Sequence, residues 1–347
     1  MARLVSAAIV LAVGATGCSR DPGAGLDQRA VATASGGERN GCLVTTEGEA
    51  RCWGSNEFVQ VGDGTREDAG RPVPVTGIGK ARDVSVGRDS SCALLADATA
   101  ACWGYNYSGQ VGDGTKENLR LPTPVTGLTG VRSIGAGTDH SCAVRDDGTA
   151  ACWGANALGQ LGDGTTEPST VPVPVRGLAD AEAVSVGDRS ACVVRAGGRV
   201  ACWGSNASGK IGDRTTQDRR EPTGVLGVTD AAAVSTGLES ACAIVAGGRV
   251  RCWGAITASD ERSARPGPAI TIPGVAGATS IDVGDQVACA AGPTGTSCWP
   301  SDLAWNSADV AAAVPVSTTG ARSVAVIGRR ACSVSLDGRL RCAAPFD

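Results

Sequence analysis

The sequence predicts an all-β protein: seven similar units, each a four-stranded antiparallel sheet, gathered into one toroidal or stacked body. Fourteen of the fifteen cysteines fall into pairs that recur about every fifty residues, and a fixed period of that length marks a repeat architecture. Each unit holds four short apolar stretches separated by turn signals. The 50 glycines and 16 prolines supply regular turns. The chain of 347 residues could make two ordinary domains, but seven like units argue for one body.

The elements can be taken in order in the third unit. VRSIGA, from Val131, reads as strand A, SCAVR as strand B, TAACWG as strand C and VPVPV (171–175) as strand D. Prolines at alternate positions suit an edge strand, so D is expected on the outside and the small-residue strand A near the axis. Strands B and C are apolar on both faces, as stacked sheets require.

The cysteine register follows from the hairpin between B and C. Nine residues separate Cys142 from Cys152. If the two face each other, the loop is Asp146-Asp147-Gly148, a type I turn whose third residue needs the left-handed conformation. Counting outward puts the cysteines at a non-hydrogen-bonded pair, where side chains approach closest and a cross-strand bridge fits. The same register serves Cys42 with Cys52, Cys92 with Cys102, Cys192 with Cys202, Cys242 with Cys252 and Cys332 with Cys342. Gly48, Gly198, Gly248 and Gly338 hold the third loop position, whereas Ala98 predicts a strained or altered turn. Cys289 and Cys298 are one residue closer, and a two-residue loop at Pro293-Thr294 restores the pairing. Zinc and redox readings call for closer cysteines than these.

The first seventeen residues read as a signal peptide: Arg3, then an apolar run from Leu4 to Val13 too short to anchor in a bilayer. Ala15-Thr16-Gly17-Cys18 resembles a bacterial lipobox, and Cys18 is the cysteine left outside the pairs. Residues 18–30 are expected to form a flexible tether after a lipidated Cys18, with the repeat body over 31–347. The absence of Asp at Ser19 favours the outer membrane by resemblance to Gram-negative lipoproteins. Paired cysteines place the body in an oxidising compartment of the cell envelope. The net charge of −4 gives no footprint for nucleic acid, and the three lysines beside twenty-eight arginines read as codon bias.

GTDHSCAVRDDGTAACWGANALGQLGDGT, from Gly137, resembles the repeat of the regulator of chromosome condensation family. The match is strong in units two to four, good in one and partial in five; units six and seven keep only the B and C core. The resemblance implies a seven-bladed β-propeller of antiparallel blades, here with one intra-blade disulfide each. The sequence opens the body on a strand A (Val31 to Ser35) and supplies no evident strand D after the seventh C. A three-stranded seventh blade is favoured, because residues 19–30, the alternative source, are poor in β-formers.

No catalytic set, cofactor or metal is expected. The single histidine, His140, sits where other units carry Ser90, Ser190 and Ser240, and reads as a turn residue. Asp63, Asp113 and Asp163 of the GDGT segments, with Asn56, Asn106 and Asn156 seven residues earlier, read as turn caps rather than calcium ligands. The CWG tryptophans (Trp53, Trp103, Trp153, Trp203, Trp253, with Trp299 near-equivalent) suit packing between blades. The unrepeated aromatics Phe58, Tyr105, Tyr107 and Trp305 are candidate anchors for a partner. Strand parity puts the A–B and C–D loops on one face, where Arg88, Asp89, Asp139, Asp188 and Arg189 belong to a ring of mixed charge. The expected function is therefore a lipid-anchored, extracytoplasmic scaffold for a protein partner, tied to the bilayer through acylated Cys18 and not a nucleic-acid binder. Its alternatives are a secreted enzyme inhibitor, as in propellers resembling β-lactamase inhibitory protein II, a guanine-nucleotide exchange factor, or a glycan-active enzyme using the central channel.

Overall fold

A computed structural model describes residues 31–254, 266–301 and 313–345. Among them, seven antiparallel sheets follow one another, six with four strands and the seventh with three, and in each the strands lie in chain order. The third blade is typical: Val131–Ala136, His140–Arg145, Ala150–Gly154 and Ser169–Pro174 are its strands A to D. The A strands of all seven blades surround a central channel of about 730 Å³. The D strands lie outermost and are largely exposed, as their prolines predicted. Ring closure is direct: Gly328 N of the seventh blade donates to Gly37 O of the first at 3.0 Å. Ala325, Cys332, Val334 and Leu340 share one apolar core with Val31, Ala34 and Trp53.

The B–C hairpins have the expected register. Cys142 faces Cys152, the same pairing recurs in all seven blades, and each pair is a disulfide with Cα atoms 4.0–4.1 Å apart. Arg145 N donates to Thr149 O (2.8 Å) and Gly148 N to Arg145 O (3.0 Å), which closes the three-residue loop. Gly148 has φ +79°, and Ala98, at the same place in the second blade, is forced to φ +61°. That backbone region puts Cβ against the following carbonyl in every residue but glycine. In the sixth blade Gly292 pairs with Gly295, leaving Pro293-Thr294 as the two-residue loop and Cys289 opposite Cys298.

Two sets of bonds join neighbouring blades. At the axis, a side-chain oxygen on one A strand accepts a backbone N–H from the next. Ser35 Oγ takes Val86 N (3.0 Å), Ser85 takes Ala136 N (2.9 Å), Ser133 takes Val184 N (3.1 Å) and Ser185 takes Thr236 N (3.1 Å). Ser235 takes Val283 N (3.0 Å), and Asp282 Oδ2 takes Val326 N (2.7 Å). Farther out, the CWG tryptophans lock blade to blade as expected. The indole N–H of Trp103, Trp153 and Trp203 donates to the backbone O of Gln60, Gln110 and Gln160 in the preceding blade at 2.9 Å, and Trp253 to Lys210 O at 2.8 Å. Gly62, Gly112, Gly162 and Gly212 lie flat on those rings. A Cβ on Gly112 would stand 2.6 Å from the Trp153 indole nitrogen, so the GDGT glycine is fixed by the next blade's tryptophan.

Candidate protein-interaction face

The loops between strands C and D are built by their own side chains. In the third blade Asn156 Oδ1 accepts Leu161 N (2.9 Å) and its Nδ2 donates to Asp163 Oδ1 (3.2 Å). Asp163 Oδ1 also accepts Thr165 N at 2.9 Å, and Gln160 Oε1 accepts Leu158 N at 2.8 Å. Asp63 and Asp113 repeat this with Asn56 and Asn106. These carboxylates act as turn caps, the role read from the sequence. The loops share a face with the A–B turns, because strand C returns beside the start of B: Ser55 N donates to Arg39 O (3.1 Å) and Tyr105 N to Asp89 O (2.9 Å).

On that face the first two blades bring three of the four candidate aromatics into one cluster. Phe58 meets Tyr105 edge to face at 5.2 Å between ring centroids, and Tyr105 lies 5.0 Å from Tyr107. Tyr107 is 66% exposed, while Phe58 and Tyr105 are half-buried beneath it. The backbone beside Phe58 is strained. Val59 is buried with φ +61°, where the sister loops carry Gly109, Gly159 and Gly209 in the same conformation. A β-branched residue is a strong outlier in that region, and such strain collects at functional sites. Trp305, the fourth candidate, falls outside the described residues, as does Cys18.

The charges of the face divide into two sectors. On blades one and two they pair with each other: Arg39 bridges Asp89 (3.2 Å) and Glu57 (3.6 Å), and Arg88 meets Glu38 at 3.0 Å. Burial pushes the Asp89 carboxyl up despite the opposing pull of Arg39. Blades four and six present Asp188 and Asp285 at the channel, and Glu239 of blade five acts with Asp188 on Lys210. Asp285 is raised by burial and then by repulsion from Glu38 and Asp188. Arg189, at φ +54°, sits 3.9 Å from Asp188. Asp139 stands apart in blade three, 3.4 Å from His140 Nδ1. Burial works against its ionisation, but His140, Arg189 and Gln160 together hold its carboxyl below the usual range. Of the predicted set, then, Arg88 and Asp89 adjoin the aromatic cluster, and Asp139, Asp188 and Arg189 lie on other sectors of the rim.

His140 corrects an expectation. It is no turn residue: it opens strand B and is fully buried, because the β ladder starts at His140 opposite Gly154. Sequence reasoning also missed Lys210, which stands where other loops have Gln60, Gln110 and Gln160. It is 3% exposed, and its ammonium donates to Leu238 O at 2.7 Å and to Asp188 O. Burial drives its pKa down to about 8, against the attraction of Asp188. Asp83 and Asp282 were missed too. Both touch the channel yet are enclosed by the ring, and burial lifts each to about 6. The oxygens of Asp282 are engaged by Val326 N, Val283 N and Ser235 Oγ, a structural use. Among the described residues no group of His, Cys, Asp and Glu is arranged to hold a metal.

The loop, the lock and the hairpin together define the repeat. Regulator of chromosome condensation (RCC1) repeats match over residues 47–94, 102–144 and 147–194, and a second form of the repeat over 81–110, 131–160 and 182–210. Residues 47–210 thus carry the repeat of the regulator of chromosome condensation family. Solved structures share the fold at low identity. Human WBSCR16 is 20% identical with a TM-score of 0.71, covering 87% of this chain and 86% of that one. Prp20p of Saccharomyces cerevisiae is 16% identical with a TM-score of 0.72, covering 91% and 83%. The ectodomain of the Arabidopsis thaliana receptor kinase ACR4 is 16% identical with a TM-score of 0.57, covering 91% and 98%. No curated protein sequence matches the chain.

Proposed function

We propose that this RCC1-repeat propeller is an exported, lipid-anchored scaffold that binds a protein partner and performs no catalysis of its own. The observation that carries the reading is the gathering of Phe58, Tyr105 and Tyr107 from two blades into one cluster on the loop face. Exposed tyrosine on a rigid base anchors interfaces with little entropy to lose. Paired charges around the cluster and acidic groups across the channel mouth favour a partner that sets an apolar pocket over Tyr107 and a basic patch toward Asp188 and Asp285. Relatives of the same fold support the class of ligand: Prp20p is described with binding to Gsp1p and histones, and yeast RCC1 (Prp20) in complex with Kap60. Seven cystines support a compartment outside the cytosol, where exchange on a nuclear GTPase has no place. Cys18 is the proposed site of acylation and the envelope, at the outer membrane, the proposed location.

The test is crosslinking capture from envelopes with the native chain and a Phe58→Ala/Tyr105→Ala/Tyr107→Ala variant. The partner should be recovered at least tenfold less well with the variant; equal recovery would discard this face. Inhibition of a β-lactamase, lost in the same variant, would instead identify a secreted-type inhibitor.

A further inference from the structure

At the seam between blades four and five the Lys210 ammonium donates to two A–B turn carbonyls, Asp188 O of one blade and Leu238 O of the next, the latter at 2.7 Å. Gln60 and Gln110 hold the same place at the seams between blades one and two and between blades two and three. Both are 0% exposed, and the Nε2 of each has no hydrogen-bond partner among the described residues. Buried polar atoms of this kind are met by ordered water. We infer that each of these two seams binds one buried water, seated where the Lys210 ammonium stands and bonded to the glutamine amide and to two turn carbonyls.

The backbone that launches these side chains is the same at all three places. Val61 N, Val111 N and Ile211 N donate to the Oδ1 of Asn56, Asn106 and Asn206 at 3.0, 2.9 and 2.9 Å. The carbonyls of Gln60, Gln110 and Lys210 each take an indole N–H from the next blade. The repeat period then carries the two acceptors of Lys210 onto Glu38 O and Arg88 O beside Gln60, and onto Arg88 O and Thr138 O beside Gln110. Glutamine is one atom shorter than lysine, so its amide stops short of the carbonyls that the ammonium reaches. The direction of each bond then selects the ligand. Gln60 Oε1 accepts Phe58 N at 2.9 Å and Gln110 Oε1 accepts Ser108 N at 3.0 Å, which turns each Nε2–H toward the seam. The occupant must accept from an amide and donate to carbonyls. A metal cation cannot do the first, and an anion without a proton cannot do the second. Water does both, and three bonds are the usual complement of a buried water.

A second set of side chains singles out the same two seams. Ser190 opens strand B of blade four and meets Thr236 of blade five at 3.5 Å between hydroxyl oxygens. At the place of Thr236, blades two and three carry Val86 and Ala136. Asn40 and Ser90, which stand where Ser190 does, are therefore 0% exposed with polar side-chain atoms left unbonded among the described residues. Between blades three and four the chain supplies its own partner, since Gln160 hydrogen-bonds the Asp139 carboxylate. Four like seams thus reach the same end by a carboxylate, by an ammonium and twice by water. Gln60 holds the backbone at Phe58, and Gln110 holds it at Ser108, next to Tyr107. The two waters accordingly tie the loops of the aromatic cluster to the A–B turns of the same face.

Magnetic relaxation dispersion of isotopically labelled water counts long-lived internal waters and tests the assignment. Relative to the native chain, Lys210→Gln should gain one such water per molecule, because it recreates the glutamine seat. Gln110→Lys should lose one, its ammonium taking the water's place. An unchanged count in Lys210→Gln overturns the proposal, and that variant decides alone if Gln110→Lys does not fold. A crystal structure should show one density peak within hydrogen-bond reach of Gln60 Nε2 and one of Gln110 Nε2, with none beside the Lys210 ammonium. A direct bond from either Nε2 to a protein oxygen overturns the assignment at that seam. Crystals soaked in rubidium salt should give no anomalous peak at the two positions; a peak there would make the occupant a cation and overturn the choice of water.

Discussion

The junctions between blades one and five differ from those that follow. From blade one to blade five each junction has a bond at the axis and a tryptophan locked onto the previous loop's carbonyl. Between blades six and seven, among the described residues, the axial bonds remain without a tryptophan lock: Asp282 takes Val326 N and Ser280 takes Val324 N (3.1 Å). The cysteine pairing of the hairpin and its disulfide are kept in both regions, though the sixth blade's loop is one residue shorter. The difference teaches that the B–C staple is a property of a single blade, whereas the GQxGDGT loop is a device for joining blades. Between blades six and seven the axial bonds persist, with Asp282 standing where earlier blades carry serine.

The largest effect should come from breaking an outer lock. Trp153→Ala removes a fully buried indole and should cost about 3–5 kcal/mol in denaturant unfolding. Trp153→Phe keeps a ring but loses the N–H bond, and should cost more than Trp299→Phe by about 1 kcal/mol. Equal losses at the two sites would erase the distinction between junctions.

The axial carboxylates predict a pH signature. Asp83 and Asp282 are raised to about 6 in the folded state, so they bind protons more tightly there than when unfolded. Their contribution is full below about pH 4 and lost as pH rises through about 6. Calorimetry should show a descending limb of up to about 3 kcal/mol for each group over that window, flattened in Asp83→Asn/Asp282→Asn. A limb of unchanged steepness would assign it to other groups.

Lys210 has the opposite sense. Its folded pKa of about 8 means that charging it in place is unfavourable at pH 7 and that the burden lifts as pH rises above 8. Lys210→Gln restores the residue of the first three blades and should stabilise by about 1 kcal/mol at pH 7, with the gain shrinking toward pH 10. A loss at pH 7 would mean that its two carbonyl bonds outweigh desolvation. The smallest change is Ala98→Gly, which should stabilise by about 0.5–1 kcal/mol by relieving the +61° backbone. No shift in midpoint would show the turn already relaxed.

Much of the fold was legible because it is local. Loop length and strand parity set the pairing of Cys142 with Cys152, placed a strained Ala98, and absorbed the deletion at Pro293-Thr294. The tryptophans were legible by recurrence, and the Asn and Asp caps by their chemistry beside glycine. Of the site, the candidate aromatics could be named, but their contact could not, since Phe58 and Tyr105 lie on different blades. His140 was misread because a turn signal and a strand start differ by one residue there. Lys210 gave no signal beyond standing where its sister loops carry glutamine.

The sequence by itself determined seven like hairpins, their bridges and the order of strands within each blade, because those contacts lie within a single repeat and one register satisfies them all. Only the tertiary structure decided which groups meet across blades, such as Ser35 with Val86, Trp153 with Gln110 and Phe58 with Tyr105. Those partners are some fifty residues apart in the chain, and they are brought together by closing the ring, which buries one sheet against the next and leaves each polar group to find an acceptor there.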